Sequence, residues 1–222
     1  MGSIEENIRI IQSSIPENVK LVAVSKTKPN EDILKAYQTG QRIFGENKVQ
    51  DLAAKAEVLP KDIDWHYIGH LQTNKVKYIA PFVGLIHAVD SFKLLKELNK
   101  QAAKNNRTIN CLLQFHIASE ETKFGLSMPQ AQELLSNHKT TNLNNTKIIG
   151  VMGMASYTNN QKQVQEEFAH LKMIFDELKS TYFKNENSFK EISMGMSGDY
   201  QLAIEQGSTM IRVGSSIFGA RS

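Results

Sequence analysis

Lys26 is a potential nucleophile at the end of what resembles the first parallel strand of a barrel, and in such folds the carboxyl ends of the strands carry the chemistry. It follows the apolar run at residues 21–25, in the string LVAVSKTKP, which is typical of a buried strand. A lysine amine forms an imine with an aldehyde or ketone when its surroundings lower its pKa. The alternative is that Lys26 only ends a strand with a solvated charge, and this string alone does not decide between the two.

Two strings near the C-terminus, MSG at 196–198 and VGSS at 213–216, indicate a phosphate site. Each follows a strand-like run and precedes a short helical pattern. Backbone N–H groups at such a point bind phosphate, glycine allows a close approach, and serine adds a hydroxyl donor. Both strings are alternatively ordinary tight turns. Arg212, which ends the last strand-like run, either points into this site or neutralises a neighbouring carboxylate.

The elements that must position these groups are strands alternating with helices. Strand-like runs are predicted at 19–25, 41–44, 64–69, 84–89, 109–116, 147–154, 191–195 and 210–213. Their continuous apolar character suits a parallel sheet that is buried on both faces. We predict an α/β fold: a single (β/α)8 TIM barrel domain over residues 1–222. An open doubly wound sheet is the alternative, but no G-x-G-x-x-G follows the first strand and no P-loop is present.

The helices have recognisable end signals. An N-terminal helix outside the barrel repeat is predicted from the stripe of Ile4, Ile8, Ile11 and Ile15, ends at Pro16, and is expected to cover the bottom of the barrel. Further helices are predicted at 31–39, with an N-terminal cap at Asn30, at 92–104, with a cap at Ser91, and at 161–183. Another helix is predicted to begin after Ser127, in a capping box. A polar surface loop is expected at 137–146.

Composition excludes several classes of protein. A net charge of +3 without a long basic run argues against dedicated nucleic-acid binding, and the single cysteine, Cys111, excludes a disulfide framework. No run reaches the ~18 apolar residues of a membrane span, and the N-terminus lacks the features of a signal peptide. We therefore expect a cytoplasmic protein. His66 and His70 have the spacing of a zinc pair, but the strand-like WHYIG argues against one shared helix.

A nucleophilic lysine after the first strand and a phosphate cradle after the last two together predict one ligand, pyridoxal 5′-phosphate (PLP). Lys26 would hold its aldehyde and the cradle its phosphate. In barrels of this type a phosphate commonly lies after strands seven and eight, which is where the two glycine- and serine-containing strings fall.

Seven sequence strings, spread over nearly the whole chain, match the motifs of a known family. The sequence resembles the YggS/PROSC family of PLP homeostasis proteins, which is similar to the N-terminal barrel of alanine racemase. The strings are LVAVSKTKP, FGEN, HYIGHLQTNK, HAVDS, KFGL, SMGMSGD and RVGSSIFG, in the family order.

The resemblance implies a role for each matching residue. Lys26 matches the Schiff-base lysine, Arg212 the arginine that faces the pyridine nitrogen, and Asn47 a polar residue of the cofactor pocket. The phosphate-binding segments are matched by Ser197, Gly214 and Ser215. Weaker candidates for the pocket are His66, Met154 and Ser156, and Lys123, in KFGL, is a candidate for steering an anion or taking the aldehyde transiently.

Arg212 and the length of the chain distinguish three candidate functions. A permanently cationic donor keeps the pyridine nitrogen unprotonated, which makes the ring a poorer electron sink and favours a non-catalytic PLP carrier. An amino-acid racemase is the second candidate, but its tyrosine base would come from a second domain for which we expect no room. The third is a cofactor-free, aldolase-like enzyme using Lys26. The carrier would act as a monomer, with PLP-dependent apo-enzymes as possible recipients.

Overall fold

The computed structural model, which describes residues 2–120 and 124–219, contains a closed barrel of eight parallel strands. The strands are β1 Lys20–Val24, β2 Ile43–Glu46, β3 Asp64–Tyr67, β4 Leu85–Val89, β5 Ile109–Phe115, β6 Thr146–Gly153, β7 Glu191–Ser193 and β8 Met210–Val213. Each strand pairs with its neighbour in chain order, and β1 pairs with β8 to close the barrel. The predicted TIM barrel is therefore confirmed.

Helices follow the strands around the outside of the barrel. They are α1 Ile4–Ser14, α2 Asn30–Gln38, α3 Val49–Val58, α4 Val76–Ile79 after a 3-10 turn at Thr73–Lys75, α5 Phe92–Lys104, α6 Met128–Thr140, α7 Gln161–Thr181, α8 Tyr200–Glu205 and α9 Ser215–Phe218. Within the described ranges, no helix has the length and apolar character needed to cross a membrane.

Most element ends agree with their sequence signals to within one residue, and several differ, among them the ends of β3 and β7, which come two residues earlier than predicted. Ser91 and Ser127 cap α5 and α6 as predicted, the latter in a capping box. Asn30, in contrast, is the first residue of α2, and Pro29 precedes it without a side-chain cap. The predicted loop at 137–146 is shorter, because α6 continues to residue 140, and α7 ends two residues before its predicted end.

A further difference concerns β2, which begins two residues later than predicted. The side-chain amide of Gln41 donates to the carbonyl oxygens of Leu21 and Ile43, at 2.8 and 2.7 Å, and so ties the chain down just before the strand. The strand consequently runs through Phe44 and Gly45 to Glu46. This places Asn47 as the first residue beyond the strand.

The N-terminal helix α1 lies in the outer ring of helices, so its predicted place at the bottom of the barrel was wrong. It contacts α2 and α9. Near its start, Asn7 Nδ2 donates to the carbonyl oxygen of Ile217 at 2.9 Å, and near its end, Gln12 bonds to Gln41 at 3.3 Å. The helix α1 therefore packs between α2, which follows β1, and the four-residue helix α9, which follows β8.

We expect Ile8→Ala in α1 to cost about 2–5 kcal/mol of unfolding free energy, because it would leave a cavity in the core. Ile8 is fully buried among core residues, whereas Ile10 of the same helix is 58% exposed. Ile10→Ala is the matched control and should change stability by no more than about 0.5 kcal/mol. Urea unfolding of both variants measures the difference. Equal effects would mean that α1 is not an integral part of the barrel.

The barrel interior is divided into an apolar part and a polar part. An apolar cluster inside the strands is formed by Val22, Leu85, Ala88, Leu112, Met152 and Met210. Beside it lie buried polar side chains of β3, β4, β7 and β8, namely His66, His87, Ser193 and Arg212. The apolar cluster fills the barrel as side chains do in this fold, which leaves the carboxyl ends of the strands as the place for a site.

Candidate functional site

A cavity of about 550 Å³ opens at the carboxyl ends of the strands, where TIM barrels carry their sites. It is lined by all six residues that the sequence singles out for cofactor binding: Lys26, Asn47, Ser197, Arg212, Gly214 and Ser215. These residues come from the ends of four different strands, β1, β2, β7 and β8. The structure therefore brings the predicted residues together on one concave surface.

Lys26 is held in a tight turn directly after β1. The N–H of Lys28 donates to the carbonyl oxygen of Ser25 at 3.0 Å, closing the turn around Lys26 and Thr27. Thr27 adopts a left-handed backbone conformation, with φ of 66°, which is unfavourable for a β-branched residue. Such conformations persist where the surrounding structure over-determines them, and here the turn directs the lysine toward the cavity wall.

A buried ion pair fixes the start of this turn. Glu46, the last residue of β2, is fully buried, and its Oε1 accepts hydrogen bonds from Ser25 Oγ and Lys55 Nζ, both at 2.7 Å. Lys55 Nζ also donates to the carbonyl oxygen of Ser25 at 3.0 Å. A buried carboxylate is tolerated only when it is paired and hydrogen-bonded. Both the side chain and the carbonyl of the residue before Lys26 are thus anchored.

Asn47 is positioned by close backbone approach from the loop after β3. A Cβ atom at Gly69 would lie 2.4 Å from the carbonyl oxygen of Asn47, so only glycine fits there. The hydroxyl of Tyr67 lies 3.1 Å from the same oxygen. Burial raises the pKa of Tyr67 to about 12, which keeps this hydroxyl protonated and able to donate.

The loops after β7 and β8 are joined by Ser197. Its Oγ accepts hydrogen bonds from the N–H groups of Gly214 and Ser216, at 3.1 and 3.4 Å. Next to it, Gly198 lines the cavity, and a Cβ atom there would meet nothing within 4 Å. Backbone N–H groups gathered beside open space are the arrangement that binds anions.

Arg212 supplies a fixed positive charge on the floor of the cavity. It is almost fully buried, and it donates to Ser193 Oγ at 2.6 Å and to the carbonyl oxygen of Gly153 at 3.0 Å. Burial lowers the pKa of the Arg212 guanidinium to about 10, against the opposite influence of the Asp199 charge. Arg212 therefore remains a cation at neutral pH and can only donate hydrogen bonds.

The weaker candidates separate into one residue that lines the cavity and two that do not. Met154 lines it. His66 lies in the barrel interior, hydrogen-bonded to His87 at 3.0 Å, and Ser156 Oγ bonds to Glu167 at 2.7 Å. Lys123 lies outside the described residues.

The described residues contain no group of three His, Cys, Asp or Glu side chains that could hold a metal ion. His70, the second histidine of the zinc-like spacing, stacks on Phe124 with ring centroids 4.2 Å apart and pairs with Asp90 at 3.2 Å.

Several lining residues were not assigned to the site from the sequence. Gln114 points into the cavity from the apolar strand β5, and its amide donates to the carbonyl oxygen of Phe124 at 2.8 Å. Phe124, Tyr157 and Met196 line the cavity and are exposed. A glutamine within an apolar strand was a usable signal for Gln114, whereas exposed apolar side chains in loops resemble ordinary surface residues.

Comparisons with known proteins agree with this geometry. The family model described as the alanine racemase N-terminal domain matches residues 1–222. The pyridoxal phosphate homeostasis protein of Aquifex aeolicus (strain VF5) is 40% identical over 203 residues, covering 91% of this chain and 87% of that protein.

Solved structures give the same relationship. PipY of Synechococcus elongatus PCC7942, solved without PLP, is 35% identical, covers 98% of this chain and 100% of that chain, and has a TM-score of 0.90. The structure of PipY with PLP bound has 34% identity, the same coverage and a TM-score of 0.87. Alanine racemase from Bartonella henselae shares the fold, with a TM-score of 0.73 at 16% identity. The chain belongs to the alanine racemase N-terminal domain family and, within it, to the YggS/PROSC family of pyridoxal phosphate homeostasis proteins.

Proposed function

We propose that this protein binds PLP in the cavity at the carboxyl ends of its strands and serves intracellular PLP homeostasis or carriage rather than catalysis. The observation that carries the proposal is the convergence on one cavity of an amine, a buried guanidinium and a cluster of backbone N–H groups, from Lys26, Arg212 and the two C-terminal loops. These three groups complement an aldehyde, a pyridine nitrogen and a phosphate. PipY, a relative of the same length, has been solved with PLP bound.

The residues fit this cofactor in charge and in space. Gly198 faces open space, and its neighbour Ser197 joins it to the loop that contains Gly214 and Ser216, which supports a phosphate between these two loops. Ser197 and Ser215 add hydroxyl donors there. We assign the phosphate to this corner of the cavity, and Asn47 to the end of β2, on the other side of β1.

Lys26 would hold the aldehyde carbon through a Schiff base, formed with loss of one water. When bound, PLP supplies a carbonyl that reacts with amines and a ring that can accept electrons. The guanidinium of Arg212 faces the cavity as a donor without an acceptor site, so a ring nitrogen beside it stays unprotonated. This residue therefore limits the electron-accepting capacity of the ring and supports a non-catalytic role.

We extend the proposal to the whole chain. Residues 1–222 would form one PLP-binding barrel domain, present in the cytoplasm as a monomer, and PLP-dependent apo-enzymes are the recipients we propose. The homeostasis name carried by relatives such as the Aquifex aeolicus protein supports this reading over that of an enzyme.

Equilibrium dialysis of the purified protein against PLP, followed by its absorption spectrum, tests the proposal. We expect one PLP per chain and a visible absorption band that disappears on borohydride reduction. Incubation of the loaded protein with L-alanine, followed by a chiral assay, should show no D-alanine above the level given by free PLP. Absence of PLP uptake would refute the binding site, and D-alanine formation at enzymatic rates would refute the non-catalytic role.

A further inference from the structure

A continuous series of hydrogen bonds runs from the floor of the cavity through the barrel interior to the opposite end of the barrel. Arg212 Nη1 contacts Ser193 Oγ at 2.6 Å, and this oxygen lies 3.0 Å from His87 Nδ1. His87 Nε2 lies 3.0 Å from His66 Nδ1, and His66 Nε2 lies 3.3 Å from Asp64 Oδ2. The five side chains come from β8, β7, β4 and β3. We call them the interior relay.

The carboxyl end of the interior relay determines the direction of the bonds within it when each imidazole carries one proton. An ionised Asp64 can only accept, so His66 carries its proton on Nε2. His87 must then donate from Nε2 to His66 Nδ1 and accept at Nδ1 from the hydroxyl of Ser193. Arg212 can only donate, so Ser193 Oγ also accepts from Arg212. All four bonds therefore donate in the same direction, from the cation to the carboxylate.

The charges of the groups support this assignment. Burial, assisted by the neighbouring His66 and Arg212, lowers the pKa of His87 well below its usual range, so His87 is neutral. The hydrogen bond with His66 lowers the pKa of the Asp64 carboxyl, with smaller contributions from the charges of Lys20 and Arg107. A neutral imidazole has one donor and one acceptor nitrogen, as the interior relay requires.

Solvent reaches the interior relay at its far end. His87 and Ser193 are fully buried, and His66 and Arg212 are almost so, whereas the side chain of Asp64 is 50% exposed at the first residue of β3. The carboxyl end of the relay therefore lies on the face of the barrel opposite the cavity. The ion pair of Lys20 with Glu191 is on the same face.

One additional proton would reverse part of the interior relay. If His66 becomes doubly protonated, it donates from Nδ1, so His87 must accept at Nε2 and carry its own proton on Nδ1. Ser193 Oγ then accepts from both His87 and Arg212, and its hydroxyl proton loses its acceptor. A protonation event near Asp64 would thus change the hydrogen bonding of the residue that holds Arg212 in place.

We propose that Ser193, His87, His66 and Asp64 are positioning residues that hold Arg212 toward the ring nitrogen of PLP and transmit protonation at the opposite face of the barrel to the bound cofactor. The proposal rests on the proposed function for its cofactor, but the bond directions belong to the protein alone. Low-dielectric surroundings strengthen such networks and make them act as a unit.

The first test uses PLP-free protein. NMR of isotope-labelled histidine should show that the singly protonated forms of His66 and His87 both carry the proton on Nε2. Asp64→Asn should shift the ring-nitrogen signals of both histidines. Asp62→Asn is the matched control, because Asp62 is exposed, lies two residues away and bonds instead to Tyr37 and Arg42. An Nδ1-protonated form of either histidine, or equal effects of the two variants, would overturn the interior relay.

The second test uses PLP-loaded protein and the pH dependence of its visible absorption. We expect the acid-side spectral change of the wild-type protein to be altered in Asp64→Asn, which replaces the carboxylate at the end of the interior relay by an amide. His66→Asn keeps an acceptor for His87 but removes the contact with residue 64, so in this background Asp64→Asn should have no further effect. Asp62→Asn should leave the spectral change as it is in the wild-type protein.

The outcomes separate the two proposals. If the protein does not take up PLP but gives the expected histidine signals, the proposed function and the transmission to the cofactor are both refuted. The interior relay would still be a feature of the protein. PLP uptake with an absorption spectrum that is insensitive to Asp64→Asn refutes transmission alone.

Discussion

Replacing Lys26 with alanine is expected to abolish covalent capture of PLP. The wild-type protein, reduced with borohydride in the presence of PLP, should carry a phosphopyridoxyl group on the peptide that contains Lys26. In Lys26→Ala neither this adduct nor the visible absorption band should form, because no amine stands at the same point of the cavity wall. Mass spectrometry of the reduced, digested protein and its absorption spectrum measure both effects.

The control for this experiment is Lys48→Ala. Lys48 precedes α3, is exposed and is absent from the cavity lining. It should retain the full adduct and spectrum. Lys28 also lines the cavity. If Lys26→Ala formed an undiminished adduct on Lys28, the assignment of Lys26 as the specific Schiff-base lysine would be wrong.

Gly195→Ala is expected to lower stability strongly and to eliminate PLP binding. Gly195 has φ of +94°, and a Cβ atom there would lie 2.7 Å from the Cβ of Ala203 and 2.9 Å from the Cα of Tyr200. The backbone conformation alone costs about 1–3 kcal/mol for a non-glycine residue. Relief of the contacts would move α8 and the preceding segment that contains Ser197. Urea unfolding and equilibrium dialysis measure the two consequences.

Gly198→Ala is the matched control for stability. Gly198 lies three residues further on in the same loop, but its Cβ position is open. Its stability should remain within about 0.5 kcal/mol of the wild-type protein. An equal loss in both variants would show that the effect is not specific to Gly195, and the argument from its φ and its close contacts would then be wrong.

The barrel and the predicted lining residues were accessible from sequence because they depend on local patterns. Continuous apolar runs mark buried parallel strands, and polar strings at their ends fall on one face of a parallel barrel. Lys26 and Arg212 could be paired in this way because both stand at strand ends. The roles assigned to them within the cavity stay predictions until the variants are measured.

Other features depend on contacts between distant segments and left no local pattern. The start of β2 is set by the bonds from Gln41 to the carbonyl groups of Leu21 and Ile43, so counting apolar residues misplaced it. The position of α1 depends on its contact with α9, which comes from the other end of the chain. The contact of His66 with His87 likewise joins two strands whose individual sequences suggest only core or strand-end residues.

The bridge made by Ser197 has a consequence for the kinetics of exchange. The N–H groups of Gly214 and Ser216 donate to Ser197 Oγ when no ligand is bound, so release of an anion leaves neither N–H group without a hydrogen-bond acceptor. Ordering of the two loops is accomplished during folding rather than during association, which reduces the entropy lost on binding. With these properties, neither association nor dissociation of the ligand requires a large rearrangement of the site. Such reversibility is what the proposed carrier function requires.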